Sequence, residues 1–436
     1  MLKLILIVLA LVGITVPAAA QEWCGPYPCA VSHRRNTACR VSGILASATT
    51  TEIGKPGLTN RMERLFENHR ALQSGNPKGK IPMKPGISLS ELARQLEERK
   101  TKKVDMIVPT SEMSLKARPT FDPKRTDIKL YVPGHGETPI NEIAHNQLAA
   151  FTEVPGRYYD KMLNEAPALL ADNINEWLHR DKKSVRLVRQ LYGYTRAFLS
   201  NRYQRIENEE IAEVALPILL SDPDLTVVST EITDRRLYIQ ATTSRITGDV
   251  KVGDPVQAGV IISNSEVGHG SVSVQRVIYR LRCLNGLILP DNKYRANHTG
   301  ARIDDNEALW KDDTRKAEDK AILLKVRDMV QSAMDPASFN RQLDKLRETT
   351  EQRITGNPAK AIEVLSQKLG VTEGERGGIL RSLIEGGDLS RWGVLNAVTH
   401  QAHGARDYDR SVEFEQLGAK IIDLPASEWS QVAEAA

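Results

Sequence analysis

Two hydrophobic rhythms alternate along this chain, and their order predicts an α+β protein. Leu92, Leu96 and Val104 roughly mark the apolar face of a helix over 87–103, with Ser88 or Ser90 as its cap. Short strands are expected at 104–109 and 128–132, closed by Pro109 and by Pro133-Gly134. Helices are expected at 139–148, 155–164 and 166–180. The last has Leu169, Leu170, Ile174, Trp177 and Leu178 at helical spacing. Residues 181–191 read as a short basic amphipathic helix, and 193–200 as a strand. A further helix at 208–220 stops at Ser221-Asp222-Pro223-Asp224.

The rhythm then turns to period two. Strands at 225–232 and 237–243 form a hairpin around Thr233-Asp234-Arg235, followed by strands at 255–263 and 271–283. From there the pattern is helical, over 304–334, 336–352, 358–369, 373–385, 389–403 and 408–417. No internal repeat occurs. The expected architecture is a mixed core domain over 86–300, with an antiparallel sheet (strands about 225–283) flanked by helices. A helical C-terminal region follows over 301–436.

The first 85 residues follow neither rhythm. Residues 1–20 resemble a secretory signal: Lys3, an apolar run over 4–16, and Ala18-Ala19-Ala20 before Gln21. Residues 21–85 carry Cys24, Cys29 and Cys39 and then a Gly/Pro/Asn/Lys-rich linker. Cys24 and Cys29 can pair in an oxidising compartment, but beyond Val41 only Cys283 remains, so no disulfide framework supports the body. An alternative start at Met62 or Met83 removes the signal-like segment. The chain is expected in the cytoplasm, or exported if residues 1–20 act as a signal. After residue 20 no stretch reaches the roughly 20 apolar residues of a membrane helix, so no stable membrane association of the main body is expected.

The 436 residues are 26% charged and 41% hydrophobic, with a net charge of +4. That balance is too mild to argue for nucleic acid; local clusters carry the argument. Segment 180–205 holds Arg180, Lys182, Lys183, Arg186, Arg189, Arg196, Arg202 and Arg205 against the single acid Asp181. Tyr192, Tyr194, Phe198 and Tyr203 interleave these cations. Single-strand binders combine a positive groove with aromatic platforms, because phosphates need cations and every base has a π face. A solvated basic helix face with core aromatics is the plainer reading. In the fourth strand Arg276, Ile278, Arg280 and Arg282 share one face, with same-face neighbours about 7 Å apart. The arginines form either an anion-binding face or pairs with acids on a neighbouring element.

Enzymatic chemistry has less support. Glu266 and His269, in Ser263–Gly270, offer an acid, a base or ligands between glycines, though such a loop is more often turn chemistry alone. His400 and His403 share a helix face but have no third ligand in sequence. No Walker loop, dinucleotide fingerprint or Gly-x-Ser-x-Gly elbow occurs, so no cofactor or metal is expected.

Three blocks also form a recognisable pattern. Arg196–Tyr203 with Ile206, Asn208 and Ala215–Leu219 is the first. Ser265–Gly268 with Tyr279–Gly286 is the second. Leu389–Thr399 with Glu415–Gly418 and Glu428-Trp429 is the third. Together, over about residues 90–430, they resemble the phage- and plasmid-like family catalogued as domain of unknown function 932. The resemblance implies a cytoplasmic protein of mobile elements and carries no catalytic residues. The leading expectation is a non-enzymatic nucleic-acid-binding protein, with single-stranded DNA as partner and with homo-oligomers possible. The runner-up is an enzyme or host-interaction factor at Glu266/His269 acting on a nucleotide or nucleic-acid phosphate.

Overall fold

The computed structural model describes residues 86–120, 126–180, 182–222, 224–282, 285–289, 294–296 and 312–436. The expectations for residues 1–85 and for Cys283 lie outside them. Helix α1 (Leu89–Lys102) starts at Ser88, whose Oγ accepts from the Glu91 N–H at 3.1 Å. It buries Leu92 and Leu96 and leads directly into β1 (Lys103–Pro109). Strands β2 (Ser114–Pro119), β3 (Thr126–Val132) and β4 (Gly136–Pro139) make a small antiparallel sheet. Helices α2 (Glu142–Phe151), α3 (Gly156–Glu165) and α4 (Pro167–Arg180) follow. Leu115, Ile128 and Leu130 of the sheet share one core with Leu148, Met162, Leu170 and Ile174 of these helices.

Strands β5 (Val185–Leu191) and β6 (Tyr194–Ser200) complete a second sheet in the order β1-β5-β6. β5 overturns the helix expected over 181–191. It is the central strand, paired on both edges, with Leu187, Val188, Arg189 and Gln190 all buried. Cross-strand packing of that kind overrides a helical spacing of cations.

Helix α5 (Asn208–Ser221) opens with a reciprocal capping box between Glu207 and Glu210. The large sheet comprises β7 (Leu225–Ile232), β8 (Leu237–Asp249), β9 (Pro255–Asn264), β10 (Val272–Arg280), β11 (Asn285–Ile288) and β12 (Tyr294–Ala296). Its order is β11-β10-β9-β8-β7, all antiparallel, with β12 also on β10. The helical part is α6 (Asp312–Ser332), α7 (Pro336–Glu351), α8 (Pro358–Leu369), α9 (Glu373–Gly386), α10 (Arg391–His400), α11 (Tyr408–Ile422) and α12 (Ala426–Ala433). The fold is α+β with a helical C-terminal part, as the periodicity predicts.

Helices cover both faces of the large sheet. On one, Ile239, Val260 and Val274 meet α1, α5 and α6, while Val256, Ala258 and Ile278 meet α7 and α10. On the other, Tyr238, Ile261 and Val277 pack against Tyr408 and Val412 of α11. The face carrying Arg276, Ile278 and Arg280 is therefore no open solvent face. Among the described residues no helix is long and apolar enough to cross a membrane.

Candidate functional site

Acids gather where α5 begins. A helix N-terminus favours carboxylates, and Glu207 and Glu209 flank its first residue. Glu266, in the loop after β9, reaches the same end and accepts the Asn208 N–H at 2.7 Å. Gly268 holds φ at +78° in that loop, a left-handed value that a glycine takes without strain.

Cations converge on these acids from the smaller sheet. Lys103 Nζ donates to Glu207, Glu209 and Glu266 at 2.7, 2.7 and 2.6 Å. Arg189, 0% exposed, donates Nε to Asp105 at 2.9 Å, Nη1 to the Glu266 carbonyl at 2.8 Å and Nη2 to Glu207. Arg196 Nη1 donates to Glu266 at 2.7 Å. A register shift in the β5–β6 pairing leaves Arg196 as the extra residue of β6, and such bulges re-aim a side chain.

This arrangement fixes charge states. Burial pushes the Glu266 carboxyl up, but Arg196, Lys103 and Arg189 outweigh it and hold the group well below the carboxylate range. Burial pushes Lys103 down, and Glu266, Glu207 and Glu209 more than reverse it. Glu207 goes the other way: burial, then the Glu266 charge, raise its pKa against the pull of Arg189 and Lys103. Oxygens of Glu207, Glu209 and Glu266 lie within 4.8 Å of one another, a spacing suited to a metal ion. The Lys103 ammonium sits among all three, in the place a cation would take.

Glu266 and His269 are not brought together. Glu266 is 2% exposed inside the charge network. His269 lines a separate cleft of about 140 Å³ with Arg235, Arg236, Tyr238, Asp409 and Glu413. Arg236 Nε donates to the His269 carbonyl at 2.8 Å. Burial, then Arg235 and Arg236, push the His269 imidazole down. His400 and His403 stack edge-on with ring centres 5.4 Å apart. Among the described residues Glu207, Glu209 and Glu266 are the only three-ligand group.

The basic-aromatic segment divides between interior and surface. Arg189 and Arg196 belong to the network above, and Tyr203 is turned inward, its hydroxyl donating to the Ser265 carbonyl at 2.7 Å. Arg186 lies over the Phe151 ring at 4.2 Å. Arg205, partly exposed, is 3.7 Å from Asp105. Lys182, Lys183, Arg202, Tyr192 and Tyr194 are exposed. On β10, Arg280 makes a two-point pair with the buried Asp254 at 2.5 and 2.7 Å, and Trp392 Nε1 donates to the same carboxylate at 2.9 Å. Arg276 donates to the Ala333 carbonyl at 3.2 Å, and Arg282 is exposed past the strand end. The three arginines thus do not form one anion-binding row: Arg280 takes the acid-paired alternative.

Sequence reasoning missed Lys103, Asp105, Glu207, Glu209 and Arg99. A signal existed for Arg99: it continues the Leu92, Leu96 stripe of α1 at helical spacing, a cation where an apolar residue is due.

No curated protein and no solved structure matches the chain. Residues 197–420, more than half of the chain, match the family model described as Domain of unknown function (DUF932). That span takes in Arg196's neighbour Ala197, the Glu266 loop, the large sheet and most of α11. On that match the chain belongs to the domain of unknown function 932 family.

Proposed function

We propose that the protein binds single-stranded nucleic acid, without catalysing a reaction on it, through the exposed end of the β5–β6 hairpin. The observation that carries this reading is the pair Tyr192 and Tyr194, 45% and 54% exposed at the hairpin tip. Tyr192 and Gly193 hold φ of 53° and 77°. A two-residue turn with both positions left-handed normally takes Asn-Gly or Asp-Gly. A bulky aromatic at the first position is an outlier, and an outlier of this kind argues for a role beyond folding.

The hairpin base adds cations. Seven-residue strands at about 3.3 Å per residue separate tip and base by about 20 Å. Near the base, Arg180 lies 4.6 Å over the ring of the partly exposed Trp177, and Lys182, Lys183 and Arg202 are exposed nearby. A site of roughly 4–16 nucleotides covers that span. The resemblance to phage- and plasmid-like proteins gives the reading its setting, with the DNA of a mobile element as partner.

Anisotropy of labelled single- and double-stranded DNA across a salt series, with the full chain, tests the reading. The expected result is single-strand binding that weakens steeply with salt. Absence of binding at low salt overturns it.

A further inference from the structure

The charge network uses up the donors of Lys103 and Arg189 but not those of Arg196. This side chain is 7% exposed and gives only Nη1 to Glu266; its Nε and Nη2 are buried without a hydrogen-bond partner. Buried donors are nearly always satisfied, so two on one side chain call for an explanation. Nε and Nη2 form one edge of the guanidinium, with parallel N–H bonds spaced for two oxygens of one oxyanion. The Glu266 carboxylate meets this side chain through Nη1 alone, its other partners being Lys103 and the Asn208 N–H.

A second guanidinium belongs to the same end of the network: Arg99 lies one helical turn before Lys103, which shares Glu266 with Arg196. The side chain of Arg99 of α1 is half-buried and has no hydrogen-bond or ion-pair partner among the described residues. Burial pushes its pKa down; Glu266 and Tyr192 counteract this, and the Arg196 charge adds to it. Two guanidiniums within repulsive reach, partly out of water and with unused donors, suit an anion with several acceptor oxygens. The β6 bulge at Arg196 supplies the aim.

We propose that Arg99 and Arg196, beside the Tyr192 turn, form a binding site for one oxyanion of the phosphate class. Assigning it to a strand whose base stacks on Tyr192 rests on the single-strand reading above. Free phosphate is the other source of the same chemistry.

The test uses the full chain and two probes: inorganic phosphate against chloride at equal ionic strength, and a labelled single strand across a salt series. Arg99→Gln is the main variant, because Arg99 holds no other side chain in place. Arg196→Lys is the second; it keeps the charge beside Glu266 and removes the fork. Phosphate is expected to raise the melting midpoint of the wild type. Arg99→Gln should bind phosphate and strand about tenfold more weakly. Its log–log salt slope for the strand should flatten by about 0.7, the share of one single-strand phosphate. Arg196→Lys should weaken phosphate binding similarly. Phosphate binding without strand binding upholds the site and defeats the single-strand reading. Strand binding with an unchanged slope in Arg99→Gln, and no phosphate effect, defeats the site and leaves that reading standing.

Discussion

Two parts of one hairpin, built from the same basic-aromatic stretch, have opposite fates. At its middle, Arg189 and Arg196 are buried and tied to Asp105, Glu207 and Glu266. At its tip, Tyr192 and Tyr194 face water on a strained turn. The difference teaches that a run of cations in sequence is no binding surface where the fold supplies it with acids. Partners 18, 70 and 84 residues away in sequence neutralise the middle. The interior part holds the smaller sheet to α5 and the Glu266 loop; the exposed part is where the proposed strand contact is to be tested.

The largest effect should come from breaking the interior. Glu266→Gln leaves Lys103 and Arg196 buried without their shared carboxylate. We expect a loss of about 3–5 kcal/mol in urea denaturation. Arg280→Ala should cost stability of the same order, since it strands Asp254, yet leave strand affinity unchanged. A parallel fall in affinity would place β10 in the interface. At the tip the pattern should invert. Tyr192→Ala with Tyr194→Ala should weaken single-strand binding by about 1–3 kcal/mol per stacked base, with the urea midpoint nearly unmoved.

Acid should sharpen the contrast. The Glu266 pKa lies well below its ordinary value of 4.5, so its contribution is fully present above pH 4.5. It is lost as pH falls through the lower, folded value. The raised Glu207 acts in the opposite sense, as a penalty relieved by protonation as pH falls through its raised value. The stability gap between wild type and Glu266→Gln should therefore narrow below pH 4.5, measured by denaturation at pH 7, 5 and 3. A constant gap would mean that the network does not depend on the Glu266 charge. The smallest effect is a gain. Tyr192→Asn relieves the left-handed strain and should stabilise the chain by about 1 kcal/mol while weakening binding.

Much of the fold is legible in sequence for local reasons. β7, β8 and β9 are rich in β-branched residues and bounded by turns, and α8 begins at Asn357-Pro358 and ends at Gly370, a matched start and stop. What fails locally is what tertiary pairing decides. β5 reads as a basic helix because the strands that pair with both its edges, and the residues that pack on its faces, are invisible from its own residues. β2 and β4 are short and carry Lys, Arg, Pro or Gly, so no pattern announces them. The site is half legible. Its residue types were visible, including Arg196, Tyr192 and Glu266, but not which cations already had partners. A bulge that re-aims Arg196 leaves no mark in the spacing of apolar residues.

The central claim is that ligand contact belongs to the Tyr192 end of the hairpin and not to the acid-paired Arg280 of β10. It is tested most directly by single-strand anisotropy of three full-length chains at low salt: wild type, the Tyr192→Ala/Tyr194→Ala double variant, and Arg280→Ala. The account predicts binding by the wild type and Arg280→Ala alike, and at least tenfold weaker binding by the double variant, which corresponds to about 1.4 kcal/mol. Equal binding by the wild type and the double variant would contradict it.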